Sequence, residues 1–237
     1  MKWGRAYGAD YVNKLFSMVS RNTSRPLRFV CFTDDAAGLL PEIHVLPLPH
    51  IALPESHRWK PWRKVALWQP QLSDLRGDVL FLDLDVVVTA SIDSFFDFQP
   101  DETYCVIENW TQPGSGIGNT SVFRLRVGSH PEVFATLMAD PEGTIRKFRN
   151  SQTFVSRTIL STAFWPADWC VSFKHSLMPP WPLNFVRSAP FPVEARVTCF
   201  TGHPNPDEAR DGIWPAAWYK RVRKHVRPTP WIAEHWR

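Results

Sequence analysis

Long hydrophobic runs, closely paired cysteines and glycine loops of the phosphate-binding kind are missing from this chain, and each absence removes a class of protein. No uninterrupted apolar run approaches the roughly 18 residues of a membrane span. The opening segment, MKWGRAYGADYV, has neither the apolar core nor the small-residue cleavage site of a secretory leader. There are four cysteines, Cys31, Cys105, Cys170 and Cys199, widely spaced in apolar, strand-like surroundings and with no Cys-x-x-Cys pair. That pattern favours buried, reduced thiols in a cytosolic chain over a disulfide framework or a zinc site. Among 11 glycines there is no dinucleotide-binding fingerprint and no phosphate loop. The one glycine-rich stretch, PGSGIGNTS, precedes a strand and reads as a mobile loop on the substrate side. Seven of the histidines (44, 50, 57, 130, 175, 225 and 235) have no spacing to another His or Cys that would mark zinc.

What the chain has in abundance is tryptophan and proline, 12 and 22 of 237 residues. Many Trp residues adjoin Pro, as in RWKPWRK and PPWPLN, which suits irregular segments pinned by large flat side chains. The formal charge is +4, and the excess lies late: Lys220 to Arg237 holds six Lys or Arg against the single acid Glu234. A basic tail of this kind, about 214–237, meets an anionic membrane, a phosphorylated substrate or simply water. Read as a helix, WPAAWYKRVRKHV would turn Trp218, Tyr219 and Val222 inward and its bases outward. No recognition fold for nucleic acid accompanies it, so a nucleic-acid partner is not expected.

The length suits a single domain over 1–237, and neither an internal repeat nor a low-complexity segment divides it. Apolar spacing predicts a helix over 8–20, short strands over 27–32 and 43–48, and a helix in PWRKVALWQPQL opened by Pro61 and limited by Pro70. A strand follows over 79–83, then a short helix in TASIDSFFDF and strands over 104–108 and 120–125. A helix is expected in SQTFVSRTILS, and late strands in WCVSF and RVTCF. Helices alternating with strands predict an α/β fold with a mostly parallel central sheet flanked by helices, binding its ligand beyond the strands' carboxyl ends.

The stretch VLFLDLDVVV sets Asp83 and Asp85 in one of the most apolar runs of the chain. Carboxylates taken out of water need hydrogen bonds, a cation or a proton. Residues two apart on a strand share a side, so the pair can converge, and a divalent cation removes their mutual repulsion. Hard oxygen ligands favour Mg²⁺ or Mn²⁺, leaving positions open for a diphosphate. The bland alternative is that each acid merely accepts backbone N–H bonds at a turn. Two enzyme classes use such a motif: nucleotide-sugar glycosyltransferases, and haloacid-dehalogenase-like phosphohydrolases in which the first Asp attacks phosphorus. The roughly eighty residues of α/β pattern ahead of the motif favour the first.

The wider pattern resembles bacterial glycosyltransferases of the GT-A fold close to family 8, the group with glycogenin-like and lipopolysaccharide-type sugar transferases. The resembling pieces run in order through most of the chain: KWGRAYGADYVNKLFSMVSRNTSRPLRFVCFTDD, WRKVALW, GDVLFLDLDVVVTASIDSFFDF, GNTSVFRL, NSQTFVS, WPADWCVSFK, VTCFTGHPNP and PWIAEHWR. The resemblance implies a metal-dependent transfer of sugar from a nucleoside-diphosphate donor to a hydroxyl of a glycan or glycolipid acceptor, with retention. It implies Asp83 and Asp85 as metal and diphosphate acids. Asn119, Thr120 and Ser121 would touch donor or acceptor sugar, and Gln152 would face the reactive side of the donor sugar.

The chain also departs from the family's pattern. Ser151 stands where an acid is usual. In Phe200-Thr-Gly-His-Pro-Asn-Pro206, Thr201 takes the place of a metal-binding histidine and Asn205 that of a lysine on the diphosphate. His203 is then the candidate third ligand, and Lys174, Lys64 or Arg63 the candidate substitute charge. Relatives carry a strand ahead of KWG, so the expectation is a fold lacking that first strand. Tyr7 would stack on the base and Asp34 or Asp35 would touch base or ribose. Glu108 and Asp168 are the acids to inspect as bases if transfer were inverting. These departures also fit a GT-A protein with decayed catalysis, acting as a binding module. The expected location is the cytoplasm, with the tail at the inner face of the membrane.

Overall fold

The computed structural model describes residues 1–148, 150–220 and 223–237. Helix α1, Ala9–Arg21, follows from its stripe, burying Tyr11, Val12, Leu15, Met18 and Val19 on one face. It leads into two short parallel strands, β1 (Val30–Thr33) and β2 (His44–Pro47). Pro61–Trp68 forms tight 3₁₀ turns in place of the expected α-helix. At three residues per turn Trp62, Val65 and Trp68 fall on one side, and all three are buried. Next come β3 (Asp78–Leu82), β4 (Val86–Val88) and the one-turn α2 (Ser94–Asp97), then β5 (Tyr104–Glu108) and β6 (Gly118–Arg126). Helices α3 (Pro131–Ala139), α4 (Pro141–Lys147) and α5 (Ser151–Thr158) precede β7 (Ala163–Phe164), β8 (Cys170–Ser172) and β9 (Val197–Cys199). Two short helices, α6 (Pro206–Asp211) and α7 (Pro230–His235), finish the order.

The expectation of a mostly parallel central sheet is wrong. The sheets are mixed: in the order β3-β6-β5-β7, β6 runs antiparallel to both β3 and β5, and only β5 and β7 are parallel. In the order β4-β9-β8, β9 is antiparallel to β4 and parallel to β8. The reason lies in the connections. Between Glu108 and Gly118 the chain forms turns and no helix, so it returns beside β5 in the opposite direction; a parallel return requires a crossover.

Strands β5 and β6 are buried on both faces and divide the core. Cys105, Ile107 and Val122 join one apolar cluster with α1, β4 and β9, while Tyr104, Val106, Phe123 and Leu125 join another with the Pro61–Trp68 turns, α3 and α5. No ladder among the described residues joins β1 to β3. Between them runs an apolar cavity of about 610 Å³, lined by Val30, Phe32, Leu80, Leu82 and Phe123 among others. At the cavity's end Lys2 bridges Thr33 in the parallel sense, its N–H donating to the Phe32 carbonyl at 2.9 Å.

Residues 214–220 of the basic tail are not the expected helix, although the same tail ends in α7. Trp218–Lys220 is a single 3₁₀ turn, and Trp218 and Tyr219 face solvent instead of packing inward. Val222, with Arg221, lies outside the described residues. Crowded bases at helical spacings of three and four repel one another, and Pro215 and Pro228 bracket the segment.

Candidate active site

The site begins where β3 stops. Asp83 stays in register with β6, its N–H donating to the Ser121 carbonyl at 2.8 Å, and Leu84 turns into the core. The Asp85 carbonyl then accepts from Phe200 N–H at 3.0 Å, just past β9. One sheet therefore fixes Asp83 and the other fixes Asp85. Both acids line the same cleft of about 790 Å³, with Lys2, Trp3, Arg5, Tyr7, Asp34, Asp35, Trp59 and Lys64 on its walls.

The two carboxylates have different company. Lys64 Nζ lies 2.6 Å from Asp83 Oδ2 and also reaches the Thr120 carbonyl at 3.3 Å, with both charged side chains largely buried. Among the described residues the only side chain that bonds Asp85 Oδ2 is Tyr7, whose hydroxyl donates at 3.0 Å. Burial, and then the neighbouring Asp83 charge, push the Asp85 carboxyl up to about 7. The same burial and the carboxylate beside it hold the Tyr7 phenol well above its usual range. Tyr7 is backed by Tyr11, ring centroids 4.8 Å apart, and the Tyr11 hydroxyl donates to Asp207 at 2.6 Å. Two tyrosines thus tie the cleft to α6.

Other candidates lie at varying distances from this pair. Asp34 is in the cleft and accepts from Gly4 N–H at 3.2 Å. Asp35 acts as a turn cap, accepting from Ala37 N–H at 3.0 Å, with Lys2 at 3.5 Å. Asn119 and Ser121 are buried in β6, and the Asn119 side chain accepts from Ser121 N–H at 2.9 Å. Gln152 is half-buried in the first turn of α5 and does not line the cleft. Lys174 donates to the Thr201 carbonyl at 2.8 Å, beside the strand end that contacts Asp85. Glu108 spends its carboxylate on the N–H groups of Gly114 and Gly116, tying down the glycine loop, and Asp168 is an exposed turn residue.

His203 pairs with Glu208, Nδ1 to Oε2 at 2.8 Å, and the same oxygen accepts from Asn205 N–H at 2.7 Å. In this chain the His-Pro-Asn-Pro turn caps α6. Among the described residues no group of three or more His, Cys, Asp or Glu side chains is arranged to hold a metal ion. The two acids alone still suit a hard cation. Among the described residues Asp85 is a buried carboxylate with no cationic side chain of its own, and the side chains lining the cleft include four carboxylates and three cations. Carboxylates with water and phosphate oxygens form the usual donor set of Mg²⁺ and Mn²⁺.

Sequence reasoning missed Arg5, Trp3 and Trp59. Trp59 is a half-exposed ring at the rim with the guanidinium groups of Arg58 and Arg63 at 4.9 and 5.6 Å from its centre. RWKPWR holds a signal for Trp59, an indole among bases, beyond the pinned segment, the helix start at Pro61 and the charge at Arg63 or Lys64 expected there.

With this geometry in hand, the chain can be set beside known proteins. No protein-family model and no curated protein matches it. Solved structures do. The galactosyltransferase LgtC, in complex with donor and acceptor sugar analogues, shares 13% identity over 84% of this chain and 85% of its own, with a TM-score of 0.57. The glycosyltransferase GlyE of Streptococcus pneumoniae shares 11% over 86% of this chain and 55% of its own, TM-score 0.56. The bifunctional glycosyltransferase WbbM shares 11% over 84% of this chain and 44% of its own, TM-score 0.53. The chain has the GT-A fold of these bacterial glycosyltransferases. At such identities the likeness is one of fold, and it removes the haloacid-dehalogenase-like alternative.

Proposed function

We propose that this protein is a nucleotide-sugar glycosyltransferase that moves a sugar from a nucleoside-diphosphate donor to a hydroxyl of a glycan or glycolipid. The observation that carries the reading is the convergence of Asp83 and Asp85 on one cleft at the end of β3, in a GT-A fold. Asp83 and Asp85 would hold Mn²⁺ or Mg²⁺, which when bound supplies charge neutralisation for the departing diphosphate. The chain's own residues do the rest. Lys64 fixes Asp83, and Tyr7 orients Asp85 through its hydroxyl. Trp59 and Tyr7 offer flat faces to a base, and Asp34 offers an acceptor to ribose. Lys174 and Arg5 add positive charge toward the diphosphate, standing in for the lysine replaced by Asn205. Gln152 and Asn119 are assigned to the sugar, with retention of configuration. The free, buried thiols Cys31, Cys105, Cys170 and Cys199 suit a reducing cytosol.

The test is calorimetric titration with nucleoside diphosphates in Mn²⁺ and in chelator, together with a donor screen by mass spectrometry. Binding that requires Mn²⁺ and disappears in Asp85→Ala is expected; binding indifferent to both cation and substitution would overturn the assignment. One observation favours a second reading: His203 is held by Glu208. With Thr201 and Asn205 in place of a histidine and a lysine, the protein would bind donor without turning it over. Tight donor binding with neither hydrolysis nor transfer across a broad acceptor panel would select that reading.

A further inference from the structure

The stretch from Trp3 to Tyr7 forms one wall of the cleft and, with Gly8, belongs to no helix or strand. It is held by the residues it faces. The Trp3 indole donates to the Trp59 carbonyl at 3.2 Å, Gly4 N–H donates to Asp34 Oδ2 at 3.2 Å, and the Tyr7 hydroxyl donates to Asp85 Oδ2 at 3.0 Å. Both ends are firm. Lys2 Nζ donates to the Asp35 carbonyl at 2.8 Å, and Tyr11 and Val12 are buried where α1 begins. Between these ends Gly4 takes a φ of +64°, a conformation that a side chain would resist. Gly8 stands at the N-cap of α1 with no side-chain bond to the helix.

The charges of the cleft sort themselves around this stretch. Asp83 has Lys64 at 2.6 Å, and Asp35 has Lys2 at 3.5 Å. Asp34 and Asp85 are bonded instead by neutral donors of the stretch itself, Gly4 N–H and Tyr7 O–H. Arg5 lies between those donors, is exposed and lines the same cleft. Yet among the described residues its guanidinium pairs with none of the four acids. A free planar fork of donors at the wall of a cleft suits a phosphate group. The two bonds that bracket it also differ. Tyr7 meets Asp85 in a part-buried setting, whereas Gly4 meets Asp34 in the open, where a neutral hydrogen bond contributes little. The Gly4 end is therefore the one that gives way.

We propose that Gly4–Gly8 is a strap, latched on Asp34 in the free protein, that closes on a bound diphosphate through Arg5. A ligand hydroxyl bonding Asp34 displaces Gly4 N–H and frees the strap at that end. Tyr7 keeps its bond to Asp85 and serves as the pivot, and the diphosphate gives Arg5 the anion it lacks. The nature of the ligand rests on the proposed transfer reaction, whereas the latch does not.

The test is limited digestion of the full chain with trypsin, read by intact mass, in which loss of residues 1–5 reports cleavage between Arg5 and Ala6. In the free protein Asp34→Ala should speed that cleavage roughly three-fold, because the latch is gone. In the parent, Mn²⁺ with the diphosphates of uridine, guanosine and adenosine in turn should slow it by about ten-fold with whichever nucleotide binds. By calorimetry Arg5→Gln should bind that nucleotide about ten-fold more weakly with its melting temperature unchanged, and Arg5→Lys should recover only part of the affinity. A bound nucleotide that alters neither cleavage after Arg5 nor the affinity of Arg5→Gln would overturn the strap and leave the donor assignment standing. Cleavage of free Asp34→Ala at the parent's rate would overturn the latch without reference to any nucleotide. A parent that binds none of the three nucleotides would take down the strap and the donor assignment together.

Discussion

Lys64 Nζ sits 2.6 Å from Asp83, whereas Asp85, two residues on, has the Tyr7 hydroxyl at 3.0 Å and no cationic side chain bonded to it among the described residues. One acid of the pair has its counter-charge built in and the other does not. This asymmetry makes the two residues separable by experiment.

Asp85→Asn should stabilise the metal-free protein at alkaline pH while destroying its use for a cation. The folded carboxyl is pushed up to about 7 from an ordinary 3.8. Between those values the native state holds a proton that the unfolded chain has released. Its stabilising contribution is thus complete below about 4 and is lost as pH rises through about 7. The amide keeps Tyr7's hydrogen bond and has no charge to bury. Unfolding curves should coincide near pH 4, and the variant should be more stable at pH 8, by at most about 4 kcal/mol. Mn²⁺ should raise the melting temperature of the parent at pH 8 and leave the variant's unmoved. A variant less stable than its parent at pH 8 would contradict the environment assigned to Asp85.

Lys64→Met should cost stability, because it strands Asp83 beside Asp85 in a partly closed cleft. Removing one partner of a largely buried pair costs about 3 kcal/mol. The double variant Lys64→Met, Asp83→Asn removes both charges and should recover much of that loss. A cycle of urea unfolding over the four proteins measures the coupling; additive losses would mean that the 2.6 Å contact contributes nothing.

Gly118→Ala should disturb the strand that carries Asn119 and Ser121. A Cβ at this position would lie 2.5 Å from Val106 Cγ1, at the register shift between Val106 and Ile107. Its N–H also donates to Ser156 Oγ at 2.9 Å, which anchors α5. Overpacking of this kind costs about 1–3 kcal/mol. Val106→Ala in the same chain makes room and should restore part of the stability, and thermal unfolding of the single and double variants reads the effect.

Features set by short-range pattern were legible in the sequence. The stripe Tyr11, Val12, Leu15, Val19 needs only helical spacing, and it became α1. The apolar strand before Asp83 needs only its composition. What was not legible depends on long-range pairing: Tyr7 meets Asp85 across 78 residues and Tyr11 meets Asp207 across 196. Strand direction was misjudged because alternation of elements says nothing of which way a returning strand runs. The tail was misjudged because apolar spacing was counted without the repulsion among its bases.

Arg124 holds together the segment that follows β4, and nothing in its strand setting announced that role. Its side chain is wholly buried in β6, yet among the described residues no carboxylate pairs with the guanidinium. It donates instead to the carbonyls of Phe95, Phe96, Phe98, Gln99 and Glu102 at 2.6 to 3.2 Å, caging the turn after α2. The planar fork with its several donors serves diverging carbonyls in a way that a single ammonium does not. Arg124→Met would leave those buried carbonyls short of donors, and Arg124→Lys would satisfy only some of them. Losses of about 3–5 kcal/mol are expected for Met and somewhat less for Lys. Hydrogen exchange should report the loss first in residues 95–102. If Arg124→Lys exchanged and unfolded like the parent, the charge alone would matter and the geometry of the fork would not.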